Sequence, residues 1–135
     1  MKLPQLPLGV RVMDEDHYVL EQMFAQAARI ADSGLAAHLD AILAEIAAHF
    51  APEEAEMERV GVPILACHRV QHAALLDEAK KIAAFFPSAE PQGQRGLIAF
   101  NLAQLVADHV AGPDRASSDF FVERVDYSAP DRRRA

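Results

Sequence analysis

Tryptophan is absent from this chain, cysteine occurs once, at Cys67, and tyrosine only twice. One cysteine excludes an intramolecular disulfide and is expected of a protein kept in a reducing, cytoplasmic compartment. No apolar run stands out as long enough to cross a bilayer, so no membrane span is expected. Met1 to Val10 carries a lysine and several leucines, but Pro4 and Pro7 interrupt it and no sustained apolar stretch precedes a small-residue cleavage site. It reads as an extended arm rather than a signal peptide. Basic charge is also scarce: 13 Lys and Arg stand against 20 Asp and Glu, for a formal charge of −7. That balance argues against nucleic acid as a partner. The only basic run, Arg132 to Arg134, reads as a solvated tail. With 135 residues and no repeat or low-complexity block, a single domain with one core is expected over 1–135.

What is abundant is alanine, mixed with leucine and glutamate, a composition that favours helix. Breakers and apolar period predict four helices. The first runs from about Asp14 to Asp32, stopped by Ser33-Gly34, and the second from Leu35 to Val60, stopped by Gly61. The third starts at Pro63 and ends before Pro87. The fourth follows Pro91, from about Gln94 to Ala111, with Gly112-Pro113 interrupting it. A short helix is expected around Ser118 to Val125. Short linkers make sequential helices antiparallel neighbours, so the expected fold is all-α: an up-down-up-down four-helix bundle over roughly 14–111, with an N-terminal arm (1–13) and a C-terminal segment (112–135).

The apolar stripes of these helices contain residues that do not belong in a core. Stepping back three from Leu20 on the stripe Leu20, Phe24, Ala27 reaches His17. The second stripe runs Leu39, Ile42, Ile46, then His49, Glu53, Met57. The third includes His68 and His72, and the fourth ends Leu102, Leu105, His109. All steps are three or four residues, one helix face. A lone histidine there is usually a hydrogen-bonded core residue. Five, together with a glutamate, would each cost about 1–3 kcal/mol if left unpaired, against a domain stability of only ~5–15 kcal/mol. Metal coordination satisfies them together. The pairs His49/Glu53 and His68/His72 project from successive turns of one face. Asp114 lies five after His109, about 140° out of line on a regular helix. Either the helix opens at Gly112-Pro113 and Asp114 swings back, or Gly-Pro ends the helix and Asp114 is a solvated turn residue. Five imidazoles, two carboxylates and no thiolate suit iron better than manganese or zinc. Seven ligands exceed one tetrahedral zinc and suit two octahedral ions.

The motifs His17, His49-Phe50-Ala51-Pro52-Glu53-Glu54, His68-Arg69-Val70-Gln71-His72 and His109-Val110-Ala111-Gly112-Pro113-Asp114, in that order, make the chain resemble the hemerythrins, in particular single-domain bacterial ones. The resemblance implies two non-haem irons with an oxo or hydroxo bridge. His68, His72 and His109 would bind one iron. His17 and His49 would bind the other, which keeps an open position, and Glu53 and Asp114 would bridge. It implies reversible binding of dioxygen at the open position, for storage, delivery or scavenging, in a dry apolar pocket. The alternatives are an oxygen or redox sensor, or an enzyme acting on peroxide or nitric oxide. Leu20, Phe50, Leu105 and Val110 are the candidate pocket residues beside the ligands.

The chain departs from the family pattern at two places. Leu105 stands where many bacterial relatives carry a tryptophan, and Glu21 where they carry an apolar residue four after the first histidine. Glu21 is either a bundle-edge residue facing water or a carboxylate near the open iron, able to donate a proton or ligate. Pro52 lies inside the second helix between two ligands and is expected to kink it or to be tolerated because metal bonds hold the segment. Cys67, about 100° from His68 around the helix, is expected to pack rather than ligate. His38, off its stripe, is expected to be a surface residue.

Overall fold

The computed structural model describes residues 3–121 and 124–127. Among these there is no strand, and four helices carry the fold: α1 (Arg11–Gln26), α2 (Leu35–Val60), α3 (Leu65–Phe85) and α4 (91–118). Short 3-10 turns, Asp32–Gly34 and Phe86–Ser88, fill two of the links. The helices pack as an all-α bundle, sequential neighbours side by side. The apolar stripes meet in a main core that includes Leu20, Phe24, Leu39, Ile42, Ile46 and Leu102.

Helix ends follow local chemistry. Gly61 closes α2 at φ 75°, a left-handed cap that glycine adopts without steric cost, with Val62 N–H bonded to the Met57 carbonyl at 2.9 Å. α1 stops at Gln26, short of the expected Asp32. Arg95 of α4 explains this: its guanidinium donates to the Ala27 and Ile30 carbonyls, each at 2.7 Å, and to Asp32 at 2.5 Å. Carbonyls that would have continued the helix are taken by a side chain from another element.

α4 overrides its breakers. It proceeds as Pro91–Gly96, a wide turn Leu97–Leu102, Ala103–His109, a second wide turn Val110–Asp114 and Arg115–Ser118. Gly112-Pro113 therefore does not end the helix. A turn that bonds five residues back accommodates a proline whose ring would clash with the carbonyl four back. Pro52 likewise sits within an uninterrupted α2.

The ends of the described chain meet. α1 begins at Arg11, earlier than expected, because the Val10 carbonyl accepts from Met13 and Asp14. The Asp14 carboxylate, fully buried, accepts the Leu8 and Gly9 N–H groups at 2.7 and 3.0 Å and the Tyr127 hydroxyl. Val125 N–H donates to the Gly9 carbonyl at 2.7 Å and Arg124 to that of Leu8. The helix expected over Ser118 to Val125 is thus corrected: α4 ends at Ser118, and 124–126 is not helical but bonds the arm through Val125 N–H and the Arg124 side chain. Gly9, at φ 83°, lies so close that a Cβ would meet the Val125 carbonyl at 3.3 Å. Leu8, Val10, Met13, Met57, Val62 and Phe121 form a second core beneath this junction. The tail Arg132 to Arg134 lies outside the described residues.

One expectation about length is corrected. Asp32–Val60 has the length and mean hydropathy (1.2) of a helix able to cross a bilayer. Its apolarity comes from alanines plus a core stripe: Leu35, Leu39, Ile42 and Ile46 are buried against the other helices, as in any bundle helix.

Replacing Asp14 with alanine strands three donors in the arm junction. About 3 kcal/mol of stability should be lost, against about 1 kcal/mol for Tyr127→Phe, both read from chemical denaturation midpoints.

Candidate metal centre

Each helix delivers its polar residues to one buried point. His17 comes from α1, His49 and Glu53 from α2, His68 and His72 from α3, and His109 and Asp114 from α4; all are buried. On α2 and α3 the four-residue spacing does this on regular helix. On α4 the wide turn does it: its bonds reach five residues back and each turn takes in more residues than in an α-helix, so Asp114 comes back beneath His109, with Oδ1 3.1 Å from His109 Nε2. Asp114 is therefore not a solvated turn residue: it returns to the site, although by the helix widening at Gly112-Pro113 and not by its opening.

The two carboxylates straddle the cluster. Glu53 turns Oε2 toward His49 Nε2 (3.1 Å) and Oε1 toward His68 (2.7 Å) and His72 (3.2 Å). Asp114 turns Oδ2 toward His17 Nε2 (2.9 Å) and Oδ1 toward His68 (3.0 Å) and His109. Two ligand groups result, Glu53 with His68, His72, His109 and Asp114, and Glu53 with His17 and His49, the donor atoms of each within 4.8 Å of one another.

Several of these approaches have the separation of a hydrogen bond without its direction. Both ring nitrogens of His17, Nε2 of His49 and of His109, Glu53 Oε2 and Asp114 Oδ1 are buried with no hydrogen-bond partner. Lone pairs converging on a common centre, at about 1–3 kcal/mol per unsatisfied group, are what a cation would satisfy. The donor set of imidazole and carboxylate without thiolate fits iron, and the shared carboxylates fit two ions.

Outer partners set the ring orientations. Ser117 Oγ lies 2.9 Å from His68 Nδ1, Glu54 Oε2 lies 2.9 Å from His72 Nδ1, and Asp16 bonds His49 Nδ1. Arg69 in turn holds Glu54 at 3.0 Å. A partner at Nδ1 leaves Nε2 to face the centre. Sequence reasoning gave Asp16, Glu54 and Ser117 no such roles. For Asp16 and Glu54 the signal was adjacency to His17 and Glu53; Ser117, 49 positions from His68, offered none.

The remaining candidates separate. Phe50 stacks on His72, with ring centroids 3.9 Å apart. Phe50, Leu20 and Val110 line a small void beside His17 and His49, with Val106. Leu105 is a correction. It is half-buried against the main core and lines no described cavity at the centre; Val106, one residue on, occupies that face beside Leu20. Glu21 is in neither ligand group; its carboxylate accepts the Gln5 N–H at 3.0 and 3.1 Å. Cys67 is exposed, not packed. His38 is half-buried, and its Nε2 donates to the Met23 carbonyl at 2.6 Å.

The family model for the hemerythrin HHE cation-binding domain matches residues 8–116. The chain belongs to the hemerythrin family. A bacteriohemerythrin of Ralstonia nicotianae is 28% identical over 119 residues, 88% of this chain and 86% of the relative. No solved structure matches significantly. The family binds cations, and the cluster's unpartnered donors fit a cation here.

Without metal the cluster is an ionic network. Burial lowers the His49 pKa, but its contacts with the Asp16 and Glu53 carboxylates outweigh it and push it up to about 10. His68 is likewise lowered by burial and raised more by Asp114 and Glu53, to about 9. Burial raises Glu53, yet the imidazoles of His49, His68 and His72 against it hold it down at about 2. Asp114 is held well below the usual carboxylate range, His109, His17 and His68 outweighing burial.

The signs give a pH test. Glu53 stabilises the metal-free fold above its ordinary 4.5 and ceases to as pH falls toward 2; the raised histidines stabilise it below their ordinary 6.5 and cease to as pH rises through 9 to 10. Metal-free protein should melt highest near pH 5 to 6. Metal-loaded protein should gain stability from pH 5 to 8, because protons compete with the cation for the imidazoles. Thermal melts across pH before and after chelation would read both slopes. Asp16→Ala should weaken retention of one metal equivalent by roughly tenfold or more in a chelator competition.

Proposed function

We propose that this chain is a non-haem di-iron protein that binds dioxygen reversibly, for storage, delivery or scavenging, in a cytoplasmic setting. His68, His72 and His109 would hold one iron, His17 and His49 the other, with Glu53 and Asp114 shared and an oxo or hydroxo bridge completing the pair. The carrying observation is the asymmetry about the straddling carboxylates: three imidazoles on one side and two on the other. The apolar void touches both imidazoles of the side with fewer donors, His17 and His49, and only His109 of the other three. Bound iron would supply reversible electron donation to a small diatomic ligand.

The protein's own part is binding, orientation and exclusion of water. Asp16, Glu54 and Ser117 keep the imidazoles aimed inward. Leu20, Phe50, Val106 and Val110 wall the void with groups that neither donate nor accept protons. Glu21 is not among the residues lining this void, and its carboxylate is engaged by Gln5. That supports a binder over an enzyme acting on peroxide or nitric oxide.

Iron-loaded, reduced protein should develop a visible charge-transfer band with dioxygen that disappears when the gas is removed, with two irons per chain. Prompt conversion to a stable oxidised spectrum with no reversible band would overturn the carrier reading. His17→Ala should abolish the band while keeping about half of the iron.

A further inference from the structure

An open groove of about 730 Å³ lies where α1 begins, α2 ends and the segment after α4 passes, and none of the cluster residues lines it. Its apolar lining, Val10, Val12, Val60 and Phe121, belongs to the second core or packs against it. Three guanidiniums stand around it, those of Arg11, Arg59 and Arg124, in a chain whose formal charge is −7. Two carboxylates, Glu15 and Glu56, share the lining, so the groove keeps a single positive charge. Two of the three cations are engaged. Arg59 is held by Glu56, its Nε 3.0 Å from both carboxylate oxygens, and Arg124 donates to the Leu8 carbonyl at 2.5 Å. Arg11 differs. It is half-buried, and among the described residues its guanidinium has no hydrogen bond and no ion pair. Helix spacing offers it Glu15, four residues on, yet the two make no ion pair. All five N–H donors of its rigid fork are therefore uncommitted, beside an apolar surface.

We infer that this groove binds a small amphipathic monoanion, a carboxylate on a short alkyl or aryl body, with the carboxylate on Arg11 and the body against the valines and Phe121. The planar fork of a guanidinium matches the two oxygens of a carboxylate and gives two parallel, charge-assisted hydrogen bonds. Glu56 and the Leu8 carbonyl hold Arg59 and Arg124 in place as fixed charges, which add attraction without having to move. Glu15 and Glu56 limit the charge of the ligand: a phosphate dianion would meet two carboxylates with one uncommitted cation. The apolar lining supplies what a bare anion cannot use, since an alkyl or aryl body seated there removes apolar surface from water on both partners. Such a ligand touches the start of α1, the end of α2 and the Phe121 to Val125 segment together. Occupancy therefore ties elements whose junction Asp14 already holds, and stabilises the fold by mass action.

The probe is octanoate, titrated into the iron-loaded full chain at fixed pH and low salt, with the methyl shifts of Val12 and Val60 followed by NMR. Those shifts should move saturably and the melting temperature should rise. The visible spectrum of the iron centre should stay unchanged, which separates the groove from coordination at the metal. Hexanoate should bind severalfold more weakly because it buries less apolar surface, and added salt should weaken both. Arg11→Gln should lower affinity at least tenfold with iron content unchanged. Arg11→Lys should keep part of it, since the charge remains while the fork is lost, and Glu15→Gln should tighten binding severalfold. Octanol binding as tightly as octanoate would overturn the anion site, and acetate or inorganic phosphate doing so would overturn the amphipathic ligand. Undiminished binding by Arg11→Gln, or no saturable shift at Val12 and Val60, would overturn the groove altogether.

Discussion

Two buried carboxylates, Glu53 and Asp114, each shared between imidazoles on opposite sides, are the constraint that the rest of the structure serves. Burying such a group is unfavourable unless charge and direction are compensated. Here compensation comes from all four helices at once. The bundle therefore closes around its polar centre, with the two apolar cores flanking it. A cation and a cluster of protonated histidines are alternative solutions to one electrostatic problem, which is why pH acts with opposite sign on the two forms.

The requirement propagates outward. Asp114 reaches the centre only through a widened turn, and that turn lets α4 continue past a proline to present Ser117 to His68. Asp16 and Glu54, each next to a residue of the cluster, turn sideways to bond rings on neighbouring helices: Asp16 bonds His49 of α2 and Glu54 bonds His72 of α3. The outer polar shell thus ties helices together as well as aiming ligands. On the side with fewer donors the shell gives way to alkyl groups, and the arm that covers them is itself anchored twice, by Glu21 on Gln5 and by Asp14 on Leu8 and Gly9.

Much of this was legible because helix periodicity is local. His17, His49, Glu53, His68, His72 and His109 all fall where an apolar side chain is due, and their burial follows from the same stripe that buries Leu20, Ile46 and Leu102. Gly61 stops α2 for the backbone reason expected of it. The misreadings were non-local. α1 ends where Arg95, distant in sequence, takes its carbonyls. Residues 124–126 are not helical, and Val125 and Arg124 bond Gly9 and Leu8 instead. Leu105 and Val106 are equally plausible one turn before His109, and only the seating of α4 against α1 selects Val106 to face Leu20.

The sequence by itself determined the four helices, their apolar faces and the residue types meeting inside, since these depend on spacing along one chain and on the instability of unpaired polar groups in a core. Tertiary structure alone decided how the donors divide about Glu53 and Asp114, which second nitrogen of each ring is held, and that α4 widens at Gly112-Pro113. It also placed the arm beside the alanine face of α4, with Gln5 held by Glu21. Those outcomes depend on the relative seating of whole helices, which no single helix's periodicity encodes.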